Sequence, residues 1–351
     1  MKVDLASLLR PHLLTLKPYT SARDEYSGSE GVFLDANENP FGSITQADYN
    51  RYPDPYQSAL KSEIAQIKGC APTQIFLGNG SDEAIDLLFR AFCNPGKDNV
   101  ILLPPTYGMY GVSASINNVE IRNVALTPDF QLQPEKILAA GDTQTKILFI
   151  CSPNNPSGNA VKREDIHYLL ENFPGIVVVD EAYIDFSSEP SLIQELDQYP
   201  NLLVMQTFSK AWGLASLRLG MAFASPELIA ILNQIKPPYN ISGLTQKTVL
   251  AALPNKGKVE ELIQKIIEER TFLKQELEKL PDVLKIHPSD ANFLLVQVPD
   301  ANRFYDGLIE EKVIVRNRST VLHCEGCLRI TVGTRDETLV LLQAFEKIAT
   351  N

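Results

Sequence analysis

Short apolar runs, separated by polar clusters and amphipathic stretches, set the rhythm of the middle of this chain. Val100–Leu103, Lys146–Cys151, Ile176–Val179, Leu202–Phe208 and Leu219–Ala224 are rich in Val, Ile and Leu and bounded by Pro, Gly or Asn. Runs this short and this apolar predict strands buried on both faces. Between them Glu164–Glu171 and Pro226–Ile235 carry helical periodicity, and such alternation predicts an α/β fold, a mostly parallel sheet with helices on both sides. From about Lys256 to Leu280 a long charged helix pattern follows, and the later apolar segments Asn292–Val298, Val313–Arg316 and Leu328–Val332 alternate more. They predict a smaller α+β unit. The expected organisation is an arm over residues 1–40, a large α/β domain over 41–250 and a small domain over 251–351, the arm packing on the small domain or on a partner subunit.

Bulk properties narrow the class. A chain of 351 residues, with 44% apolar and 21% charged residues, is an ordinary globular composition, and its length favours two domains. The net charge of −11 opposes unspecific binding to nucleic acid. The N-terminal Met1–Pro11 segment has no long apolar core or small-residue cleavage site. Nor does any stretch reach the roughly 18 apolar residues of a membrane helix. Five cysteines in a long chain argue against a disulfide framework, and Cys324 and Cys327 lack the second pair or the matching histidines that zinc requires. A cytoplasmic protein without a structural metal is expected.

Ligands of open α/β sheets sit outside the carboxyl ends of the strands, and the polar clusters of this chain fall at those ends. Gly78–Glu83 reads G-N-G-S-D-E before an apolar helical run. Ser81 or Asp82 would begin that helix, whose free N–H groups suit a phosphate, although alone the motif is an ordinary capped helix. Tyr107, in P-P-T-Y-G-M-Y, can stack on a flat ring or simply pack. Asn155, in S-P-N-N-P-S-G, would point an amide into the crevice. Asp180 ends the wholly apolar run V-V-V-D and needs a cationic partner, either a protonated ring nitrogen or an arginine from a neighbouring helix. Lys210 follows Thr207 and Ser209 and precedes Arg218. A shielded lysine there has a lowered pKa and condenses with an aldehyde, whereas most lysines are solvated surface residues. Taken together these clusters supply a Schiff-base lysine, a carboxylate for a ring nitrogen, donors for a ring hydroxyl, a stacking aromatic and a phosphate cup, the parts that pyridoxal 5'-phosphate requires.

With L-K-P-Y-T-S-A-R (Leu16–Arg23), L-D-A-N-E-N-P-F (Leu34–Phe41), R-Y-P-D-P (Arg51–Pro55) and C-L-R-I-T-V-G-T (Cys327–Thr334) added to these clusters, the chain resembles the fold-type I, class II pyridoxal-phosphate-dependent aminotransferases, and most closely their histidinol-phosphate branch. The resemblance runs nearly end to end. It implies that Lys210 carries the cofactor and shuttles a proton, that Asp180 holds the pyridine nitrogen, and that Asn155 and Tyr183 donate to the ring oxygen. Tyr107 would stack on the ring, with Ser81, Asp82, Thr207, Ser209 and Arg218 around the phosphate. Tyr52 resembles a tyrosine that reaches this phosphate from the other subunit, which implies a homodimer. Arg329 matches the arginine that meets the glutamate carboxylate, and Arg316, Arg329 and Tyr19 resemble a pocket for a substrate phosphate. Trp212 stands where phenylalanine is commoner and Ser216 where glycine is commoner, changes that bear on pocket shape.

The implied reaction is a ping-pong exchange of histidinol phosphate and 2-oxoglutarate with imidazole-acetol phosphate and glutamate, a step of histidine biosynthesis. Three other readings share some of these residues: an aromatic or broad-specificity aminotransferase, a phosphothreonine-type decarboxylase, and a cofactor-binding regulator without turnover.

Overall fold

The computed structural model describes residues 4–19, 30–45 and 47–350, so Thr20–Arg23 of the arm motif lies outside the described residues. Among them two sheets form. The larger has seven strands: β1 Ile75–Asn79, β2 Asn99–Leu102, β3 Glu120–Asn123, β4 Thr145–Cys151, β5 Ile176–Asp180, β6 Leu202–Thr207 and β7 Leu219–Ala224, in the order β1-β7-β6-β5-β4-β2-β3. The pairs β3–β2, β2–β4, β4–β5 and β5–β6 are parallel, and β7 alone runs against its two neighbours, β6 and β1. Because β1 and β6 both oppose β7, β1 points the same way as the parallel strands. The carboxyl ends of β1, β2, β4, β5 and β6 therefore open on one edge, together with the start of β7.

Alternation along the strands builds a core on each face of this sheet. In β5, Val177 and Val179 join Leu148, Ile150, Leu202 and Val204 on one side. Ile176 and Val178 join Ile147, Phe149, Leu203 and Met205 on the other. The helix Ser81–Phe92 covers the second face with Ala84, Ile85, Leu88, Phe89 and Phe92. On the first face, Leu60 and Ile64 of the helix Ser58–Lys68 pack with Ile166, Leu169 and Leu170 of the helix Arg163–Asn172. The helix Pro226–Ile235 begins on a proline with Ser225 Oγ accepting the Leu228 N–H at 3.4 Å, a helix-start signal visible in the chain itself.

The smaller sheet is antiparallel, in the order β10-β11-β9-β8, with β8 Lys285–Ile286, β9 Phe293–Gln297, β10 Arg316–Asn317 and β11 Cys327–Thr331. Leu294, Val296, Leu328 and Ile330 pack against Leu273 and Leu277 of the helix Lys256–Leu277, Phe304 of the helix Ala301–Glu310 and Phe345 of the helix Arg335–Thr350. The expected strand over Val313–Arg316 is displaced: pairing starts at Arg316, and Val313–Val315 lie outside the ladder. A fourth cluster, with Tyr183, Phe186, Ala211, Ala291 and Phe293, ties the two sheets together beside the polar edge of the larger one.

Candidate active site

One cavity gathers most of the residues that the sequence singles out. Its walls are Gly80, Ser81, Asp82, Tyr107, Cys151, Asn155, Asp180, Ala182, Tyr183, Thr207, Ser209, Lys210 and Arg218. Each stands at or just beyond a strand end on the shared edge, so the topology alone explains their meeting.

At one end of the cavity, β1 turns into the helix Ser81–Phe92. Gly80 has φ +69° and its N–H donates to the Arg218 carbonyl at 2.7 Å, which locks the turn to the start of β7. A side chain on Gly220 would put its Cβ 2.2 Å from the Gly80 carbonyl carbon and the Ser81 nitrogen, so β7 approaches this turn closely only because it carries glycine there. The opening N–H groups of the helix have no intrahelical acceptors and border the cavity, an arrangement that suits an anion. Asp82 adds a feature that the motif does not reveal. Its carboxylate accepts from the Tyr107 hydroxyl at 3.2 Å and lies 3.6 Å from Arg218 Nη2. What Asp82 offers an anion is thus its backbone N–H. Arg218 itself has φ +52° and is exposed, and Thr207 Oγ1 accepts the Ser209 N–H at 3.1 Å.

Asp180 forms the floor. It is 3% exposed and has no ion pair among the described residues. Oδ2 accepts from the Tyr110 hydroxyl at 2.6 Å and Oδ1 from the Ala182 N–H at 3.1 Å. Burial lifts its pKa from 3.8 to about 6, against the pull of those two hydrogen bonds. Among the described residues no arginine takes the part of the cationic partner that the sequence allows. Glu181, next in the chain, turns the other way and is spent on structure, accepting from Ser191, Leu192 and Gln206.

Lys210 stands at the mouth, its Nζ 5.6 Å from the centre of the Tyr183 ring. The residue as a whole is exposed, yet enough protein surrounds the amine for desolvation to lower its pKa, with the Arg329 and Arg218 charges adding to the effect. Tyr183 is buried, and its hydroxyl is held protonated chiefly by that burial. Trp212 packs edge-on against Phe208 at 5.1 Å, and Ser216 is exposed beyond the cavity.

Arg329 reaches the cavity from β11. Its Nη1 donates to Asn155 Oδ1 at 2.5 Å and its guanidinium lies 5.3 Å from the Phe293 ring centre. Arg316 is its direct cross-strand partner, so both project from the same face of the small sheet. Arg318, two residues on, continues that face, and its Nε is buried without a partner. None of the three arginines forms an ion pair among the described residues. Arg318 was not singled out in the sequence, although its spacing from Arg316 is a signal for it.

Two of the expected residues lie elsewhere in the single chain. Tyr19 is 75% exposed and lines a separate cationic cavity with Arg10, Lys17, Arg90 and Lys236, away from Arg316 and Arg329. Tyr52 stacks on Tyr239 at 4.5 Å and is half exposed on an outer surface with Tyr49 and Leu244. The sequence also carried no signal for Cys151, which lines the cavity, or for Tyr110, which is buried beneath it. It likewise passed over Glu83, whose carboxylate accepts from Asn79 and Asn240 and so fastens the Gly80–Ser81 turn to the loop that carries Tyr239.

The cavity's lysine, buried carboxylate and helix N-terminus on one open sheet edge suit pyridoxal phosphate, and residues 30–345 match the aminotransferase class I and II family, to which this chain belongs. Over 346 residues it is 55% identical to the histidinol-phosphate aminotransferase of Cytophaga hutchinsonii, an alignment that covers 99% of each chain. The histidinol-phosphate aminotransferase of Clostridium acetobutylicum shares its fold, with TM-score 0.80 over 86% of this chain and 92% of that one at 22% identity. The Sinorhizobium meliloti enzyme in complex with pyridoxal-5'-phosphate does so too, with TM-score 0.79 over 90% of each chain at 24% identity. Among the described residues no helix is long and apolar enough to cross a membrane.

Proposed function

We propose that this chain is a cytoplasmic, homodimeric enzyme that transfers the amino group of L-histidinol phosphate to 2-oxoglutarate, with pyridoxal 5'-phosphate held on Lys210. The observation that carries the reading is the meeting of Lys210, Asp180 and the Gly80–Ser81 turn on one cavity, in a chain 55% identical over its length to a histidinol-phosphate aminotransferase. The donor set fits the cofactor: a helix N-terminus that suits an anion at one end, a buried carboxylate with no ion pair among the described residues on the floor, and an amine at the mouth.

When bound, pyridoxal phosphate supplies a ring that draws off the electron pair left on a substrate carbon when its proton departs. The protein's own groups do the rest. The Ser81 and Asp82 N–H groups, Thr207, Ser209 and Arg218 would hold the phosphate, and Tyr107 would cover one ring face. Asp180 would keep a proton on the ring nitrogen, while Asn155 and Tyr183 would donate to the ring oxygen. Lys210 Nζ, its pKa lowered by burial and by Arg329, would take the proton from the carbon that bears the substrate amine and return it on the far side of the exchange. Arg329 and Arg316 would pair with the phosphate of one substrate and the carboxylate of the other, since a planar guanidinium accepts either anion bidentately. A histidinol phosphate has no carboxylate and glutamate no phosphate, so one cationic pocket serves both halves of a ping-pong cycle. Tyr52 of the partner subunit would complete the phosphate cup. Five free cysteines, an odd number, fit a reducing compartment.

The test is spectroscopic. Protein loaded with pyridoxal phosphate should lose its long-wavelength cofactor absorbance on addition of histidinol phosphate and regain it with 2-oxoglutarate. A response to phenylalanine or tyrosine alone would move the substrate to the aromatic class. Carbon dioxide released from phosphothreonine would make the chain a decarboxylase.

A further inference from the structure

Beneath the cavity lies a tyrosine that the proposed chemistry does not name. Tyr110 is fully buried, and its hydroxyl donates to Asp180 Oδ2 at 2.6 Å. Its ring stacks on Phe149 at 4.8 Å and meets Tyr107 edge-on at 5.4 Å. One side chain thus touches both the carboxylate of the floor and the aromatic ring of the wall. A buried hydroxyl at that position does more than fill space, because an apolar ring of the same shape would pack against Phe149 equally well. The other oxygen of Asp180 is held by a backbone N–H, so the two hydrogen bonds together fix the plane of the carboxylate.

We propose that Tyr110 is a positioning residue of this site: through its hydroxyl it orients the Asp180 carboxylate toward the cofactor's ring nitrogen, and through its T-shaped ring contact it sets the tilt of Tyr107 over the cofactor. The inference rests on the cofactor reading given above. The groups that face Asp180 are Tyr110, Tyr107, Tyr183, Cys151, Asp82 and Lys210. The three tyrosines and the cysteine are held protonated chiefly by burial, which leaves the opposing charges of Asp82 and Lys210. Removing the Tyr110 hydroxyl takes a charge-assisted hydrogen bond from a carboxylate that, among the described residues, has no ion pair to replace it.

Tyr110→Phe keeps the ring and deletes only the donor. Apo-protein of this variant, titrated with pyridoxal phosphate and followed by intrinsic fluorescence, should bind about 10-fold more weakly than the parent. Its affinity should begin to fall at a higher pH as the solution is acidified, because the lost hydrogen bond favoured the charged carboxylate. In an Asp180→Asn background the same change should leave cofactor affinity unaltered, since no carboxylate remains to be oriented. Parent-like affinity with a parent-like pH profile would overturn the proposal, as would an equal loss in both backgrounds, which would mark a packing role alone. If the parent itself binds no pyridoxal phosphate, the cofactor reading fails and this inference falls with it, a result told apart because it appears without any substitution.

Discussion

Arg329 of β11 donates through Nη1 to the side-chain carbonyl of Asn155, just beyond β4, at 2.5 Å. This bond joins the two sheets at the cavity, and it also fixes which end of the Asn155 amide turns away from the arginine. With Oδ1 engaged, the NH₂ end remains to donate, the polarity that a ring oxygen requires. On the proposed reading Arg329 would therefore act on both the substrate and the cofactor sides of the site. Arg329→Lys keeps a charge but loses the planar fork. It should raise the KM for 2-oxoglutarate about 10- to 100-fold, the equivalent of about 1.5–3 kcal/mol for a charged hydrogen bond. Steady-state kinetics at fixed histidinol phosphate checks this.

Arg329 should also set the pH range of Lys210. Burial lowers the amine's pKa, and Arg329 is the largest charge that lowers it further. A neutral amine is the reactive form, and its fraction grows as pH rises through that lowered value. Arg329→Gln removes a nearby positive charge, so the pKa rises and a higher pH is needed for the same neutral fraction. The rate of amine labelling at Lys210 in the apo-protein, measured against pH, should show its inflection displaced upward in the variant. A downward or absent displacement would contradict the assignment.

How far the chain spoke for itself depended on the surroundings of each element. The strands β4, β5, β6 and β7 were legible because they are buried on both faces and so carry uninterrupted apolar runs. β3, Glu120–Asn123, was not, because it lies at the sheet edge with exposed or half-exposed residues and offers no run to read. β1 ends in the polar turn that drew attention to itself, and Ile75–Leu77 was too short to stand out beside it. The five clusters at strand ends were legible through chemistry, and shared strand direction explains why they meet. Tyr110 and Arg318 were not, for different reasons. The first sits one helical turn from a tyrosine with an apparent role, and only a three-dimensional neighbour, Asp180, reveals its function. The second is spaced to share a face with Arg316, but that the same face carries Arg329 follows only once the register with β11 is known. Tyr52 and Tyr19 lie apart from the cavity within one chain, since their motifs mark the residues but not where the chain carries them.

Arg318 invites a test of its own. Its Nε is buried without a partner, and the side chain carries positive charge beside Arg329, whose pKa is lowered by burial first and by Arg318 next. Such crowding of like charge is relieved by an incoming anion. Arg318→Gln should raise the KM for histidinol phosphate about 10-fold, an effect on the order of 1.4 kcal/mol, and more than it raises that for a substrate without phosphate. Equal changes for both substrates would remove Arg318 from substrate recognition.

Asp180 should burden the apo-protein. Its folded pKa of about 6 lies above the 3.8 of an unperturbed carboxyl group. A raised folded pKa contributes stability below the unfolded value and loses it as pH rises through the folded one. Two pH units between these values correspond to about 3 kcal/mol at neutral pH. Asp180→Asn should therefore make the apo-protein more stable than the parent at pH 8, with the advantage shrinking toward pH 4, while abolishing most turnover. Thermal unfolding of both apo-proteins across that range gives the answer.

Gly220 is where the site depends on the closeness of two backbones. A methyl group there would overlap the Gly80 carbonyl carbon and the Ser81 nitrogen at 2.2 Å, and both of these are backbone atoms that no rotamer change can clear. Gly220→Ala must then push β7 away from the turn, and the bond from the Gly80 N–H to the Arg218 carbonyl at 2.7 Å is the first to open. Overpacking of this kind costs about 1–3 kcal/mol. The displaced atoms are those that would cradle the cofactor phosphate, so affinity should fall more than stability does. Pyridoxal phosphate titration and denaturant unfolding of the same variant separate the two. A variant destabilised but still binding the cofactor like the parent would mean that the turn contributes little to the phosphate site.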